Sequence, residues 1–166
     1  MPFTPLHLGP GVLVKAIAPR TFSLTAFAAT QVLIDIEPLY YILRSAWPLH
    51  AVMHSLVLST GIGLLVGLSV PFASPLLKHL PVGWRSHLNA ETSVSATLLG
   101  GLLGGVSHTV LDALMHQDLR PFWPFSDANP ILGAVDLVTL HVACLATGLL
   151  GLLFLWLRNH RSAKSD

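Results

Sequence analysis

The chain has 166 residues, of which 52% are hydrophobic and only 10% are charged. Ordinary globular domains carry roughly 25% charged residues, so a water-soluble fold of this length would lack the charges that cover its surface. The composition therefore predicts that lipid is the solvent. The net charge of +1 lacks the basic excess that nucleic acid requires, so we expect no nucleic-acid partner. The single cysteine, Cys144, excludes an intramolecular disulfide.

Four apolar stretches are long enough to cross a bilayer as helices, which requires roughly 20 residues each. In chain order they cover residues 22–43, 49–73, 93–115 and 132–157. A shorter apolar segment, residues 11–18, is too brief to cross and predicts a re-entrant or interfacial helix. We expect no removable signal peptide. The predicted fold class is all-α: a single integral membrane domain over residues 1–166, with four transmembrane helices and the lipid bilayer as partner.

Small residues recur at four-residue spacing within these stretches. Gly63 and Gly67 form one such pair, and the doublets Gly100-Gly101 and Gly104-Gly105 form another. This spacing lets helix backbones approach closely in lipid, where packing rather than hydrophobicity drives association. The pattern predicts a helical bundle without identifying which helices are neighbours.

Basic residues predict the orientation. In a four-span topology seven of them fall on one side of the membrane and two on the other. The seven are Lys15, Arg20, Lys78, Arg85, Arg158, Arg161 and Lys164, and the two are Arg44 and Arg120. The positive-inside rule then predicts that both termini are cytoplasmic.

Histidine is unusually frequent, with nine residues against nine Lys and Arg together. Ionisable groups in lipid are energetically costly and usually mark a site or a pathway. Eight such side chains fall at or just beyond span ends predicted to face away from the cytoplasm: Asp35, Glu37, His50, His54, His108, Asp112, His116 and Asp118. Charge distribution and polar placement together predict a site at one level of the membrane.

The spacing of these residues points to metal binding. His50 and His54 are four residues apart, which on a helix places both imidazoles on one face. His108, Asp112 and His116 repeat that step, but the outer two would lie roughly 12 Å apart along a helix. Either His108 and Asp112 share one ion while His116 acts elsewhere, or the site holds two metals. Imidazole with carboxylate suits zinc, and also manganese, iron or nickel.

A catalytic zinc lowers the pKa of its bound water to about 7, and a nearby carboxylate can then act as general base. Glu37 and Asp118 are the candidates for that role. His7 is harder to place, because simple topology puts it on the cytoplasmic side. It joins the site only if residues 11–18 dip back into the bilayer. His141 is interpreted either as a hydrogen-bonding partner of a ligand or as a packed helix residue, and His79, His87 and His160 as solvated.

Several short motifs occur in a definite order along the chain. They are His7-Leu8-Gly9, Asp35-Ile36-Glu37-Pro38, His50-Ala51-Val52-Met53-His54-Ser55 and Ser107-His108-Thr109-Val110-Leu111-Asp112. In this order, over residues 1 to about 150, the chain resembles the bacterial membrane-bound metal-dependent hydrolases of the YdjM type. The resemblance implies a hydrolase of the bacterial cytoplasmic (inner) membrane whose His and Asp residues bind metal. The order is also similar to that of zinc-dependent phospholipase C, which makes a lipid-derived phosphoester the first substrate to test.

The resulting hypothesis is a hydrolase that acts on an ester or phosphoester at the membrane surface, with one or two divalent ions, zinc first among them. Its predicted metal ligands are His7, Asp35, His50, His54, His108, Asp112 and His116. Two alternatives stay open. One is a haem protein with His54 and His108 as axial ligands. The other is a transporter or proton relay in which Asp35, Glu37 and Asp112 titrate without metal.

Overall fold

The computed structural model describes residues 5–73 and 91–162, and all regular secondary structure in these ranges is helical. A 3-10 turn, Pro5–His7, leads into the first helix. The helices are α1 (Leu8–Ile17), α2 (Leu24–Ile34), α3 (Ile36–Leu43), α4 (Leu56–Ala73), α5 (Val94–Met115) and α6 (Leu137–Ser162). The all-α prediction is confirmed. The predictions made for Lys78, His79, Arg85, His87 and Lys164 fall outside the described residues.

Three of the described helical stretches are long and apolar enough to cross a membrane. They are Leu24–Leu43, which joins α2 and α3, then Val94–Met115 and Leu137–Arg158. The second predicted span is represented by a shorter apolar helix, Leu56–Phe72. The structure therefore has three helices with the length and apolar character needed to cross a membrane, and the prediction of four spans is not confirmed. Only 17% of the α6 window is buried inside the protein, so most of this apolar helix faces outward, as expected of a helix surrounded by lipid.

Two of the predicted spans begin too early. Helix α4 starts at Leu56 because Ser55 caps it, with the Ser55 hydroxyl accepting the N–H of Leu58 at 3.3 Å. His50 and His54 consequently lie in the irregular segment before α4, and the prediction that they share one helix face is wrong. Helix α6 starts at Leu137 because the carboxylate of Asp136 accepts the N–H of Thr139 at 2.9 Å.

Helix α5 lies between α2 and α4, and glycines bring the three backbones together. A Cβ atom on Gly63 would collide with the carbonyl of Gly101, and one on Gly105 would collide with the carbonyl of Ser59. On its other side, α5 presents Gly100 to the carbonyl of Ser23. The absence of side chains permits this close approach. The glycines that recur at four-residue spacing therefore lie where α5 contacts α4 on one side and α2 on the other.

Helix α1 is ten residues long, too short to cross a bilayer, and it packs in parallel against α6. Gly9 lies against Cys144, and Gly151 lies against Leu13. At the C-terminal end of α1, the Lys15 ammonium pairs with the carboxylate of Glu91 and donates to two backbone carbonyls at 2.8 Å. Helix α1 is therefore held by α6 along its length and anchored by Lys15, with His7 at its opposite end.

Candidate metal centre

Four side chains from separate parts of the chain converge inside the bundle. Asp35 ends α2, His54 precedes α4, and His108 and Asp112 lie on α5. None is more than 6% exposed, and one ligand atom from each lies within 4.8 Å of the others. We call these four residues the inner cluster. They could hold a metal ion.

The spacing of the inner cluster matches the size of a tetrahedral site. From His108 Nε2 the distances are 3.1 Å to Asp112 Oδ2 and 3.3 Å to Asp35 Oδ1. From His54 Nε2 they are 3.4 Å to His108 Nε2, 3.5 Å to Asp112 Oδ2 and 3.9 Å to Asp35 Oδ1. With metal–ligand bonds of 2.0–2.1 Å, the edge of a zinc tetrahedron is about 3.3–3.4 Å. The four atoms therefore surround a space of the right dimensions.

Hydrogen bonds at the outer nitrogens orient the two imidazoles. His108 Nδ1 donates to Gln31 Oε1 at 2.9 Å, and His54 Nδ1 donates to Glu37 Oε2 at 3.0 Å. We assign these tautomers from their partners, which leaves a lone pair on each Nε2. The inner cluster then brings two imidazole lone pairs and two carboxylates face to face. Four mutually facing acceptors repel one another unless positive charge, from a bound cation or from protonation of an imidazole, lies between them.

Glu37 links the site to the irregular segment before α4. Its Oε1 accepts the N–H groups of Val52 at 3.1 Å and Met53 at 3.0 Å, while its Oε2 accepts from His54. These bonds satisfy backbone donors that would otherwise require a helix. Glu37 thereby positions His54, as carboxylates commonly do for metal-binding histidines. Its role as general base stays a prediction.

Glu37→Gln is expected to weaken metal binding about 10- to 100-fold, because an amide no longer enforces the His54 tautomer. Dissociation constants can be measured by competition with a chromogenic chelator of known affinity. Asp127→Asn is the matched control, since that carboxylate is exposed and pairs with Arg120 at 3.0 Å. Equal affinities for wild type and Glu37→Gln would contradict the positioning role.

A second group of possible ligands lies beside the inner cluster. His50, His116 and Asp118 each offer an atom within 4.8 Å of the others, and we call them the outer group. The imidazoles of His50 and His116 stack with ring centroids 3.9 Å apart. Asp118 Oδ1 lies 3.0 Å from His50 Nδ1, and Asp118 Oδ2 accepts the N–H groups of Leu49 and His50. Asp118 therefore positions His50 much as Glu37 positions His54.

The protonation of the outer group follows from its surroundings. Burial, reinforced by the adjacent His50 imidazole, lowers the pKa of His116 to about 4. Burial alone would raise the pKa of Asp118, but the N–H donors of His50 outweigh it and hold that pKa below its usual value. At neutral pH, His116 is a neutral imidazole with a lone pair and Asp118 is a carboxylate.

His7 also lies in the site. It is 2% exposed, its Nε2 is 3.7 Å from Asp112 Oδ1, and its ring meets the His108 ring edge-on. Burial lowers its pKa, so the imidazole is neutral at neutral pH. The sequence left open whether His7 lies away from the other candidate ligands or beside them. In the structure it lies beside them.

Every candidate site residue named from the sequence lies in or beside the inner cluster or the outer group, but one participant was missed. Gln31 is buried, accepts from His108 and donates its amide N–H to the backbone carbonyl of His7 at 3.4 Å. A polar residue four positions before Asp35 in an apolar span was the available signal. His160 is exposed near the end of α6, as expected. His141 is half-buried and lies close enough to His7 to lower the pKa of that imidazole, and both interpretations of His141 stay predictions.

No protein-family model, no curated protein and no solved structure matches this chain. The resemblance to the YdjM-type hydrolases therefore rests on the order of its motifs.

Proposed function

We propose that the protein is a membrane-embedded, metal-dependent hydrolase that acts on an ester or phosphoester at the membrane surface. The observation that carries the proposal is the inner cluster: four buried acceptor atoms at tetrahedral spacing, turned toward one another by orienting hydrogen bonds. Such an arrangement is costly in the absence of a cation and is what a divalent metal requires.

The chain's own residues supply binding and orientation in this proposal. The inner cluster would hold the ion, while Gln31 and Glu37 fix the imidazoles in position. A bound divalent ion that accepts a fifth ligand would polarise the scissile carbonyl or phosphoryl group and lower the pKa of a bound water. Zinc suits the imidazole–carboxylate set and the tetrahedral spacing, and it is the ion we propose.

The position of the site supports a lipid-derived substrate. An apolar groove of about 170 Å³ between α1 and α6 is lined by Pro5, Leu6, Leu145 and Leu149, among others. Pro5 and Leu6 adjoin His7 in the chain, so an acyl chain in this groove would hold its headgroup near the site. The substrate we propose has an apolar tail and an ester or phosphoester head.

We place the protein in a bacterial cytoplasmic membrane, with the site toward the outer surface. Lys15 lies at the end of α1 opposite His7, and the parallel packing of α1 and α6 puts Arg158 at that same end. This distribution favours a cytoplasmic location for the Lys15 end under the positive-inside rule.

The two alternative functions fit this geometry less well. Axial haem ligation requires the flat macrocycle to pass between two imidazoles. The Nε2 atoms of His54 and His108 are 3.4 Å apart, and the carboxylates of Asp35 and Asp112 lie beside them. A proton relay would require titratable groups along the membrane normal, whereas the described cluster is confined to one end of the bundle.

The test is hydrolysis by the full chain purified in detergent. After chelator treatment, added Zn²⁺ is expected to restore hydrolysis of a chromogenic ester, a phosphoester or a phospholipid. Asp35→Asn is expected to lower the restored rate by at least about 100-fold, because the isosteric amide removes a charged ligand. Asp136→Asn, whose carboxylate is exposed and caps α6, is expected to retain the rate. Failure of the metal-loaded protein to hydrolyse any of the three substrates would overturn the proposal.

A further inference from the structure

We propose that His7 binds the substrate rather than the metal, by donating a ring N–H to an oxygen of the substrate's ester or phosphoester head. The inference rests on the proposed function and deepens it, because it identifies the residue that holds the headgroup beside the inner cluster. It replaces the metal-ligand role that the sequence predicts for His7, which belongs to neither the inner cluster nor the outer group.

The His7 side chain is buried and lacks a hydrogen-bond partner. The residue is 2% exposed, and among the described residues neither of its ring nitrogens is hydrogen-bonded. A neutral imidazole carries one N–H and one lone pair, so an N–H is left without an acceptor whichever nitrogen bears the hydrogen. Buried polar groups are almost always satisfied, because leaving one without a partner is destabilising. His7 therefore points to a partner that the described residues do not supply.

An ion in the inner cluster is not that partner. Asp112 directs Oδ2 to His108 Nε2 at 3.1 Å, whereas His7 Nε2 faces the other oxygen, Oδ1, at 3.7 Å. The inner cluster already provides four ligand atoms, which complete a tetrahedron around zinc. The separation of 3.7 Å also exceeds the length of an N–H···O hydrogen bond, which is about 2.7–3.2 Å. The imidazole of His7 is therefore available to an oxygen that enters the site.

The backbone around His7 is fixed by its neighbours. The His7 carbonyl accepts the Gln31 amide N–H at 3.4 Å, and Gln31 Oε1 accepts from His108 Nδ1 at 2.9 Å. Two residues further on, Gly9 lies so close to Cys144 that a Cβ atom would collide with the Cys144 carbonyl. Contacts with α2 and α6 thus set the position of His7 without engaging its ring nitrogens. A preorganised donor for a substrate requires this arrangement.

The turn that carries His7 also borders the apolar groove between α1 and α6. Pro5 and Leu6 precede His7 in the 3-10 turn Pro5–His7, and both line this groove of about 170 Å³. Pro5 is exposed, whereas His7 is buried beside Asp112. A single turn therefore joins the surface proposed for the apolar tail to a donor beside the inner cluster. The substrate that fits both is an amphiphile with acceptor oxygens at its head.

Two amphiphilic analogues test the contact without turnover. Full-length protein in detergent, loaded with Zn²⁺, is titrated calorimetrically with octylphosphonate, which represents a phosphoester head, and with octanoate, which represents a carboxylic ester. His7→Ala is expected to weaken binding of the analogue that wild type binds by about 10- to 100-fold, because a hydrogen bond to a charged group is lost. Bound zinc, measured in parallel, is expected to stay at the wild-type level. His160→Ala, at an exposed histidine, should match wild type in both measurements.

Two conservative variants identify the donating nitrogen. The amide N–H of His7→Asn takes the approximate position of Nδ1, and that of His7→Gln takes the approximate position of Nε2. The variant whose amide replaces the donor is expected to recover most of the affinity that His7→Ala loses. A role confined to packing would not produce this difference between the two amides.

The outcomes separate this inference from the proposed function. Equal affinities in wild type and His7→Ala would overturn the inference and leave the proposed function intact. Loss of zinc in His7→Ala would make His7 a metal ligand, and weak binding by all three variants would leave it a packing role; either result overturns the inference. Failure of zinc-loaded wild type to bind either analogue would contradict the proposed function itself. If circular dichroism shows that His7→Ala misfolds, the comparison of His7→Asn with His7→Gln decides.

Discussion

His54→Ala is expected to empty the inner cluster while leaving the helical fold in place. His54 is fully buried and is the one inner-cluster residue that lies outside a helix and its cap. Its removal takes away one vertex of the tetrahedron without altering the packing of α2 on α5. Loss of an orienting residue alone weakens metal binding about 10- to 100-fold, so loss of the ligand itself should exceed about 100-fold.

Metal content after dialysis, measured by elemental analysis of detergent-purified protein, checks this expectation. His160→Ala is the control, because it also removes an imidazole but at an exposed position. Circular dichroism should give the same helical content for both variants. If wild type and His54→Ala hold equally little metal under non-chelating conditions, the inner cluster is not a metal site.

Gly105→Ala is expected to disrupt the metal centre from a position that touches no ligand. A Cβ atom on Gly105 would collide with the carbonyl of Ser59 on α4. Neither backbone can yield locally, so α4 must move away from α5. Gly105 is three residues before His108, and Ser59 is five residues after His54, so the movement separates the two imidazoles. We expect a loss of about 1–3 kcal/mol in the free energy of unfolding and a fall in metal affinity of roughly 100-fold for a displacement of about 1 Å.

Gly61→Ala is the matched control, since it makes the same substitution on α4 where a Cβ atom meets nothing within 4 Å. It is expected to retain the wild-type metal affinity. Thermal unfolding in detergent and chelator competition measure the two effects separately. If Gly105→Ala behaves like Gly61→Ala in both measurements, the close approach of α4 and α5 does not hold the site together.

The helix boundaries show where tertiary contacts changed what the local hydropathy pattern predicted. Hydropathy correctly predicted α5 as residues 93–115, against the observed Val94–Met115. It placed the start of the second span at residue 49, seven residues before α4 begins. The carboxylate of Glu37 accepts the N–H groups of Val52 and Met53, so the preceding segment has no need of helical hydrogen bonds. Glu37 lies 15 residues before Val52, and an average of hydropathy along the chain does not register a contact between two particular residues.

The sequence by itself determined the all-helical class, three helices long and apolar enough to cross a membrane, and the residue types of the candidate site. These follow from composition and periodicity, because burial in lipid tolerates few charges and each one retained needs a reason. The tertiary structure decided which of the candidate ligands lie close together. Parallel packing of α1 on α6 carries His7 to Asp112, and the end of α5 turns His116 to the same carboxylate. This convergence depends on glycine contacts between helices that are distant in sequence. Local sequence patterns miss the convergence because these contacts exist only once the bundle has packed.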